Sequence, residues 1–313
     1  MKPIILGGFA SLFFSFTFVL NRSMNLTGGS WIWSSSLRFF LMVPFLLLIV
    51  FIRGNIKPLI KHMKLNILNW IIWSSIGFGM FYAPLCLAAG YGPSWLIAST
   101  WQITIIAGSL LVPLFYTEIK NGEDIKKVRN SLPIKELILS FVILIGVFIM
   151  QFDQMSKITS KEMLLGGLPV ILAAFAYPLG NRKIMELCKE DIDTYQRVLG
   201  MTLASLPFWI ILSIYGLINT GVPSYSQINK SLIVAISSGV IATILFFKAT
   251  DSTKGDNRKM AVVEATQSGE VIFSLMGELF ILSGTFPSPL SLMGISFVIG
   301  GMILHSLSSR SLT

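Results

Sequence analysis

The sequence predicts an all-α polytopic membrane protein with ten transmembrane helices arranged as two inverted five-helix repeats. Of its 313 residues, 53% are apolar and only 12% are charged, whereas soluble domains carry about 25% charged residues. The apolar residues also occur in blocks of roughly 20, the length that a helix needs to cross a bilayer. A third observation, an internal repeat, predicts the two halves.

Ten apolar blocks are interpreted as helices 1 to 10. Only helices and closed barrels satisfy the backbone in lipid, and the blocks lack the alternation of barrel strands. In chain order, the blocks cover residues 3–20, 33–52, 68–89, 94–116, 134–152, 164–181, 198–218, 231–250, 259–282 and 289–308. The connections at 53–67 and 117–133 are too short and too charged to form another domain.

The distribution of basic residues predicts the orientation in the membrane. With a cytoplasmic N-terminus, 18 of the 24 Lys and Arg residues fall on the inner side, as the positive-inside rule requires. Both termini are therefore predicted to be cytoplasmic, in a multi-pass protein of the cell membrane. The net charge of +9 is spread over separate loops, so no basic stripe for nucleic acid is present.

Two halves of the chain share a sequence pattern at offsets of 156 to 165 residues. The matched positions include LGG 6–8 with LGG 165–167, Asn21-Arg22 with Asn181-Arg182, Arg38 with Arg197, Gln102 with Gln267 and Ser109 with Ser274. The predicted domains are residues 1–157 and 158–313. Five helices is an odd number, so the second half must enter the membrane inverted, as in many secondary transporters. The Asn-Arg pairs are predicted to end helix 1 at the outer surface and helix 6 at the inner surface.

Helix 9 carries several strongly polar residues within its predicted span. At about 100° per residue, these residues occupy one third of the helix surface: Glu264, Gln267, Glu270, Ser274 and Glu278. Such a face cannot point at lipid. Helix 4 has a weaker polar side with Ser99, Gln102 and Ser109, and the two glutamine faces are expected to oppose each other.

Depth separates the three carboxylates of helix 9. Glu270 falls near the bilayer midplane, where burial favours the protonated acid. It can hold a proton or a cation but not both, so it could couple substrate export to proton entry; structural pairing is the alternative. Glu264 is expected to pair with Lys248, with a role in coupling or substrate binding as the alternative. Glu278 falls near the outer surface, where it is either solvated or functional.

Other side chains have both a structural and a functional interpretation. Arg38 is expected to extend to the outer interface near two tryptophans, since its repeat mate begins a helix. Trp101, Tyr82 and Tyr177 could line a site for a flat or cationic ligand, or they could only pack against neighbouring helices.

The sequence lacks the residue sets that several other kinds of chemistry require. His62 and His305 lie far apart, which predicts neither a metal site nor a catalytic triad. The chain has no GxxxxGK loop, so direct use of ATP is not expected. We expect no enzyme activity and no cofactor. The expected partners are a small-molecule substrate, protons and the lipid bilayer. Ten helices complete an inverted pair, so a monomer would suffice, although the oligomeric state is left open.

Three stretches resemble a known family: LRFFLMVPFLLLI in helix 2, LAAGYGPSWLIAS between helices 3 and 4, and PSPLSLMGISFVIGGMIL in helix 10. The chain resembles the drug/metabolite transporter superfamily, in its ten-helix EamA-like branch, and is most similar to EmrE-type multidrug resistance efflux transporters. The resemblance implies a central cavity lined by helices 1, 3, 4, 6, 8 and 9, and energy from an ion gradient or from the substrate's own gradient.

Two departures from this family pattern affect the mechanism. The coupling Glu of the small multidrug proteins has no counterpart in FASLFFSFTF of helix 1 or in its mate AAFAYPLG. The acidic residue that commonly precedes the last helix is replaced by Gly284-Thr285. Coupling would therefore depend on helix 9.

The sequence leads to three functional hypotheses. The first is multidrug efflux, in which cationic or amphipathic compounds are exported by proton antiport. The second is export of amino acids or related metabolites, with Gln102, Gln267 and Asn21 binding polar groups. The third is an uncoupled channel or a scramblase-like conduit.

Overall fold

The computed structural model describes residues 2–121, 124–155, 159–189, 191–253, 259–260, 262–263 and 266–308. Within these residues, seven helices are long and apolar enough to span a membrane. They are Pro3–Leu26, Trp31–Ile52, Ile67–Ala88, Ser94–Leu114, Ser160–Cys188, Thr194–Thr220 and Tyr225–Asp251, and they match predicted helices 1 to 4 and 6 to 8. The structure confirms an all-α polytopic fold.

The remaining predicted blocks also contain helices, which do not meet the same length and hydropathy criteria. These are Ile134–Met155 for helix 5, Gly269–Phe280 for helix 9 and Pro289–Ser308 for helix 10. The total of ten membrane-spanning helices stays a prediction, as do the repeat boundary and the orientation. The predicted outer end of the bundle carries residues 27–30, 89–93 and 281–288.

Two connections contain secondary structure that the hydropathy pattern does not indicate. The first is a short surface helix, Ile56–Leu65, which buries Leu59 and leaves its lysines outside. The second is a two-stranded antiparallel hairpin of β1, Tyr116–Asn121, and β2, Asp124–Arg129. Neither connection is large enough to form a separate domain, as the sequence predicts.

Contacts between the two halves follow a reciprocal pattern. Helix 1 packs against helices 8 and 9, and helix 6 packs against helices 3 and 4. Helix 5 pairs with helix 10 at the side of this group, where the Gly146 and Gly294 backbones meet closely. Small residues permit such close approach between membrane helices.

Helices 3 and 8 each contain a π-helical segment, Ser75–Met80 and Ala235–Ala242. The two segments begin 160 residues apart (235 − 75), within the offset range of the sequence repeat. In helix 3, Gly77 contacts Gly180 of helix 6 so closely that a Cβ on Gly180 would lie 2.3 Å from the Gly77 nitrogen. Glycine is therefore required where helix 6 crosses the π segment.

Helices 4 and 9 are both interrupted at their matched glutamines. Helix 4 breaks at Gln102, between Trp101 and Ile103. Helix 9 passes through a 3₁₀ turn at Thr266–Ser268 before the α-helix that starts at Gly269. Interrupted helices of this kind surround the binding sites of many secondary transporters, because they release backbone groups from the helical ladder.

The prediction that the Asn-Arg pairs end their helices is wrong. Helix 1 continues past Asn21 and Arg22 to Leu26, and helix 6 continues past its own pair to Cys188. The arginine side chains contact carbonyl groups of other helices instead. Arg22 donates to the carbonyl oxygens of Ala89 and Gly90 at 3.4 and 3.1 Å, at the end of helix 3. These partners are distant in sequence, so the dipeptide alone does not reveal them.

Candidate functional site

A small cavity lies where helices 1, 2, 3, 4, 6 and 9 meet, and we call it the central cavity. Its volume is about 10 Å³, room for roughly one water molecule. It is lined by Phe14, Thr17, Phe18, Arg38, Phe81, Leu85, Trp101, Tyr177, Gln267 and Glu270. Four of the residues predicted from the sequence are among them: Glu270, Gln267, Trp101 and Tyr177.

Glu270 is placed in the cavity by the break in helix 9. It is the second residue of the α-helix that starts at Gly269, and only 1% of its surface is exposed. Gly269 allows helix 9 to approach helix 1, since a Cβ there would lie 2.4 Å from the Ser11 hydroxyl. Among the described residues, Glu270 Oε2 has no hydrogen-bond partner. The Gln102 side chain lies within hydrogen-bonding reach of the same carboxyl.

The structure brings the two matched glutamines together. Gln102 Nε2 lies 3.0 Å from the Ala98 carbonyl oxygen and 3.4 Å from the Gln267 carbonyl oxygen. Gln102 Oε1 is buried and accepts no hydrogen bond from the described part of the chain. The glutamines thus join the two helix breaks beside Glu270.

Arg38 also lines the cavity, and its predicted position at the outer interface is wrong. Its exposed fraction is only 3%. Its guanidinium centre lies 4.1 Å from the Tyr82 ring centroid, and Nη1 lies 3.5 Å from Thr17 Oγ1. Positions 34, 42 and 46, four residues apart along the same face, are buried too. The shared burial of this helix face indicates that Arg38 is buried too, which was not predicted from the sequence.

The repeat mate of Arg38 has a different environment. Arg197 is also buried, but it forms an ion pair with Asp251, with Nη1 2.5 Å from Oδ1. Its guanidinium centre lies 4.5 Å from the Phe247 ring. Within the described residues, Arg38 has no carboxylate within 4 Å, and its Nε has no hydrogen-bond partner. The first half of the chain therefore keeps the buried cation without the acid.

Three aromatic rings form one wall of the central cavity. The ring centroids of Phe81, Trp101 and Tyr177 lie 4.7 to 5.6 Å apart. Tyr177 also lines a second cavity of about 30 Å³, together with Asn181, Arg182 and Arg197. Tyr177 thus separates the central cavity from one that extends towards the predicted inner end. Tyr82 lies under Arg38 and accepts a hydrogen bond from Asn21 Nδ2 at 3.0 Å.

Two other predicted residues of helix 9, Glu278 and Ser274, are not among the residues that line the central cavity. Glu278 is buried near the predicted outer end, and its Oε2 accepts hydrogen bonds from the Ser94 amide and hydroxyl. The Ser274 hydroxyl is buried and has no partner among the described residues. Glu264 lies outside the described residues, so its predicted pairing is untested. Lys248, its expected partner, donates to the Tyr195 hydroxyl.

Comparison with known proteins now identifies the family. The sequence pattern of the EmrE family, described as "Putative multidrug resistance efflux transporter", matches residues 1–311. The chain belongs to this family. Membership in this family of transporters supports a small-molecule transporter role for the chain.

Two bacterial proteins are similar to the chain over most of its length. "Uncharacterized protein YjlA" of Bacillus subtilis (strain 168) is 54% identical over 310 residues, which cover 99% of this chain and 96% of that protein. "Uncharacterized 42.1 kDa protein in intracellular alkaline protease 3'region" of Shouchella clausii is 50% identical over 270 residues, covering 86% and 70% of the two chains.

Solved structures share the fold, and one of them matches nearly the whole chain. It is described as "Crystal structure of protein" and superposes with a TM-score of 0.68 over 99% of this chain and 98% of the other. The sequence identity is 13%. The likeness supports the architecture of the EmrE family member described above and carries no information about its substrate.

Proposed function

We propose that the chain exports small organic molecules across the cell membrane by proton antiport, with Glu270 as the coupling group. The observation that carries this proposal is the position of Glu270. Its carboxyl is buried in a cavity between the two halves of the chain, and Oε2 has no partner among the described residues. Membrane carboxyls in such positions commonly belong to ion or substrate pathways.

The coupling would result from competition at one carboxyl. Burial favours the neutral, protonated form while the cavity is empty. A positively charged substrate group that enters the cavity favours the ionised form instead, and the proton leaves. Because one carboxyl serves both ligands in turn, a proton that binds from the outer side displaces the substrate to that side. Inward movement of protons can therefore drive outward movement of the substrate.

Alternating access requires two halves that can exchange conformations. The reciprocal packing of helix 1 on helices 8 and 9, and of helix 6 on helices 3 and 4, supports two inverted repeats at residues 1–157 and 158–313. The two π segments and the two breaks at the matched glutamines support the same relationship. In the proposed orientation, both termini are cytoplasmic.

The size of the central cavity favours a transporter over an uncoupled conduit. A volume of about 10 Å³ leaves no continuous path for a solute. Tyr177 lies between this cavity and the second one, while Glu278 and Ser94 join helices 9 and 4 near the predicted outer end. The structure therefore corresponds to a closed state. The proposed transport requires the central cavity to open to one side of the membrane at a time.

The proposal can be tested in proteoliposomes with an imposed pH gradient. Tetraphenylphosphonium and the twenty standard amino acids serve as probes, and lumenal pyranine reports proton movement. We expect accumulation of at least one probe against its gradient, with proton counterflow that Glu270→Gln abolishes. Glu186→Gln is the matched control, since Glu186 is a half-exposed carboxyl paired with Lys183. Uphill transport by Glu270→Gln at the wild-type rate would overturn the role of Glu270.

A further inference from the structure

We propose that the central cavity binds a small zwitterion, with its carboxylate on Arg38 and its ammonium on Glu270. The simplest compounds of this class are α-amino acids. The inference rests on the proposed function, because it concerns the substrate of the same site. It begins from the observation that the cavity is lined by a buried cation and a buried acid that form no ion pair with each other within 4 Å.

Arg38 lacks the carboxylate partner that its repeat mate Arg197 has. In the second half, Arg197 is neutralised by Asp251. Offsets of 156 to 165 place the counterpart of Asp251 between residues 86 and 95, a stretch that reads CLAAGYGPSW and contains no Asp or Glu. The first half thus retains a buried guanidinium at the matched position while lacking its carboxylate.

A buried charge without a counter-ion is costly. The Tyr82 ring and the Thr17 hydroxyl offset part of this cost, but Thr17 lies at 3.5 Å and Arg38 Nε has no partner among the described residues. The planar guanidinium fork matches a carboxylate in two parallel hydrogen bonds. A ligand carboxylate would therefore supply the counter-ion that helix 3 does not.

The cavity charge discriminates among substrate classes. A ligand that carries only a positive charge would place that charge beside Arg38, and a ligand that carries only a negative charge would leave Glu270 without a partner. A zwitterion satisfies both groups. With Glu270 protonated, the two side chains sum to +1; after a zwitterion displaces the proton, the side chains and ligand sum to zero.

Few other ionisable groups could take part in this exchange. Besides Arg38 and Glu270, the described lining of the central cavity contains one, Tyr177. Tyr82 and Cys86 lie behind the guanidinium on helix 3. Neither phenol nor thiol is a strong acid, so proton release near neutral pH would report Glu270.

The test measures binding and proton release by the purified full chain in weakly buffered detergent. The twenty standard L-amino acids are titrated first. The amide and the N-acetyl derivative of the tightest ligand follow, because they keep its side chain but carry only the positive or only the negative charge. Tetraphenylphosphonium is included as a lipophilic cation. We expect an amino acid to bind at least about tenfold more tightly than both derivatives and to release a proton.

Two variants should separate the charged groups of the ligand. Arg38→Gln should lose affinity for the amino acid and its N-acetyl derivative by about tenfold or more, while it retains the amide. Glu270→Gln should lose affinity for the amino acid and its amide, while it retains the N-acetyl derivative. Arg38→Lys keeps the charge without the fork, and we expect intermediate affinity. This third variant also covers the case in which Arg38→Gln does not fold.

The outcomes distinguish this inference from the proposed function. Tighter binding of the amide or of tetraphenylphosphonium, with proton release, would overturn the zwitterion and leave antiport standing. Amino-acid binding without proton release would support the zwitterion and overturn coupling at Glu270. Unchanged amino-acid affinity in Arg38→Gln, or no binding of any probe, would also overturn the zwitterion.

Discussion

The Glu278 carboxylate accepts two hydrogen bonds from Ser94, one from its amide at 2.8 Å and one from its hydroxyl at 2.5 Å. Ser94 is the first residue of helix 4, and Glu278 lies near the end of helix 9. A carboxylate at a helix N-terminus is stabilised by free amides and by the helix dipole. This contact joins the two interrupted helices at the predicted outer end.

We predict that Glu278→Gln increases access to the central cavity. An amide accepts hydrogen bonds more weakly than a carboxylate, so helices 4 and 9 should separate more often. The measurement is the rate at which a polar maleimide labels a cysteine at Leu85, a cavity residue, after the buried Cys86 and Cys188 are replaced by serine. We expect the rate to rise about tenfold.

The Ser94→Ala variant provides the graded control for this prediction. It removes the hydroxyl but keeps the hydrogen bond that the backbone N–H of residue 94 donates to Glu278. Its labelling rate should therefore lie between those of the wild type and Glu278→Gln. Equal labelling in all three proteins would show that this contact does not limit access.

We predict that Asp251→Asn lowers the free energy of unfolding by about 2 kcal/mol, because it leaves the Arg197 charge buried without a carboxylate. The estimate is moderate since the Asp251 side chain is 32% exposed. Arg38→Gln should have a smaller effect, because Arg38 has no carboxylate within 4 Å in the described part of the chain. Urea unfolding in detergent measures both. Equal losses would contradict the difference assigned to these arginines.

We predict that Gly180→Ala destabilises the protein by roughly 2 kcal/mol or more, because the new Cβ would clash with the backbone of Gly77. Gly167→Ala is the matched control in helix 6, since nothing lies within 4 Å of a Cβ there. That control should be neutral or slightly stabilising, as alanine favours helix over glycine. Thermal unfolding compares the two variants. Similar melting temperatures would contradict the close helix crossing.

We predict that Tyr177→Ala connects the central cavity with the second cavity, because the Tyr177 side chain lines both. The expected result is a proton leak in proteoliposomes without substrate, several times that of the wild type. Phe246→Leu serves as the control, since this residue lines only the second cavity. Proton permeability unchanged in Tyr177→Ala would show that other groups close the path.

Periodicity was sufficient to predict the buried face of helix 9, because Glu270, Ser274 and Glu278 are each buried in the structure. It was not applied to Arg38, whose interfacial position was predicted from its repeat mate at the start of a helix. The decisive information was the burial of positions four residues away on the same helix face. The Asn-Arg pairs misled for another reason: Arg22 contacts carbonyl groups 67 and 68 residues away, and a local pattern does not indicate such partners.

The π segments have no local sequence signal that hydropathy could detect, because they depend on packing between helices. Each π turn contains about one residue more than an α turn, and one residue corresponds to about 100° of helix rotation. If the π segment of helix 3 became α-helical, the part of the helix that follows it would turn by roughly that angle. Phe81 and Tyr82 lie there. A screw motion of half a helix could therefore replace the side chains beside Arg38 without breaking the helix.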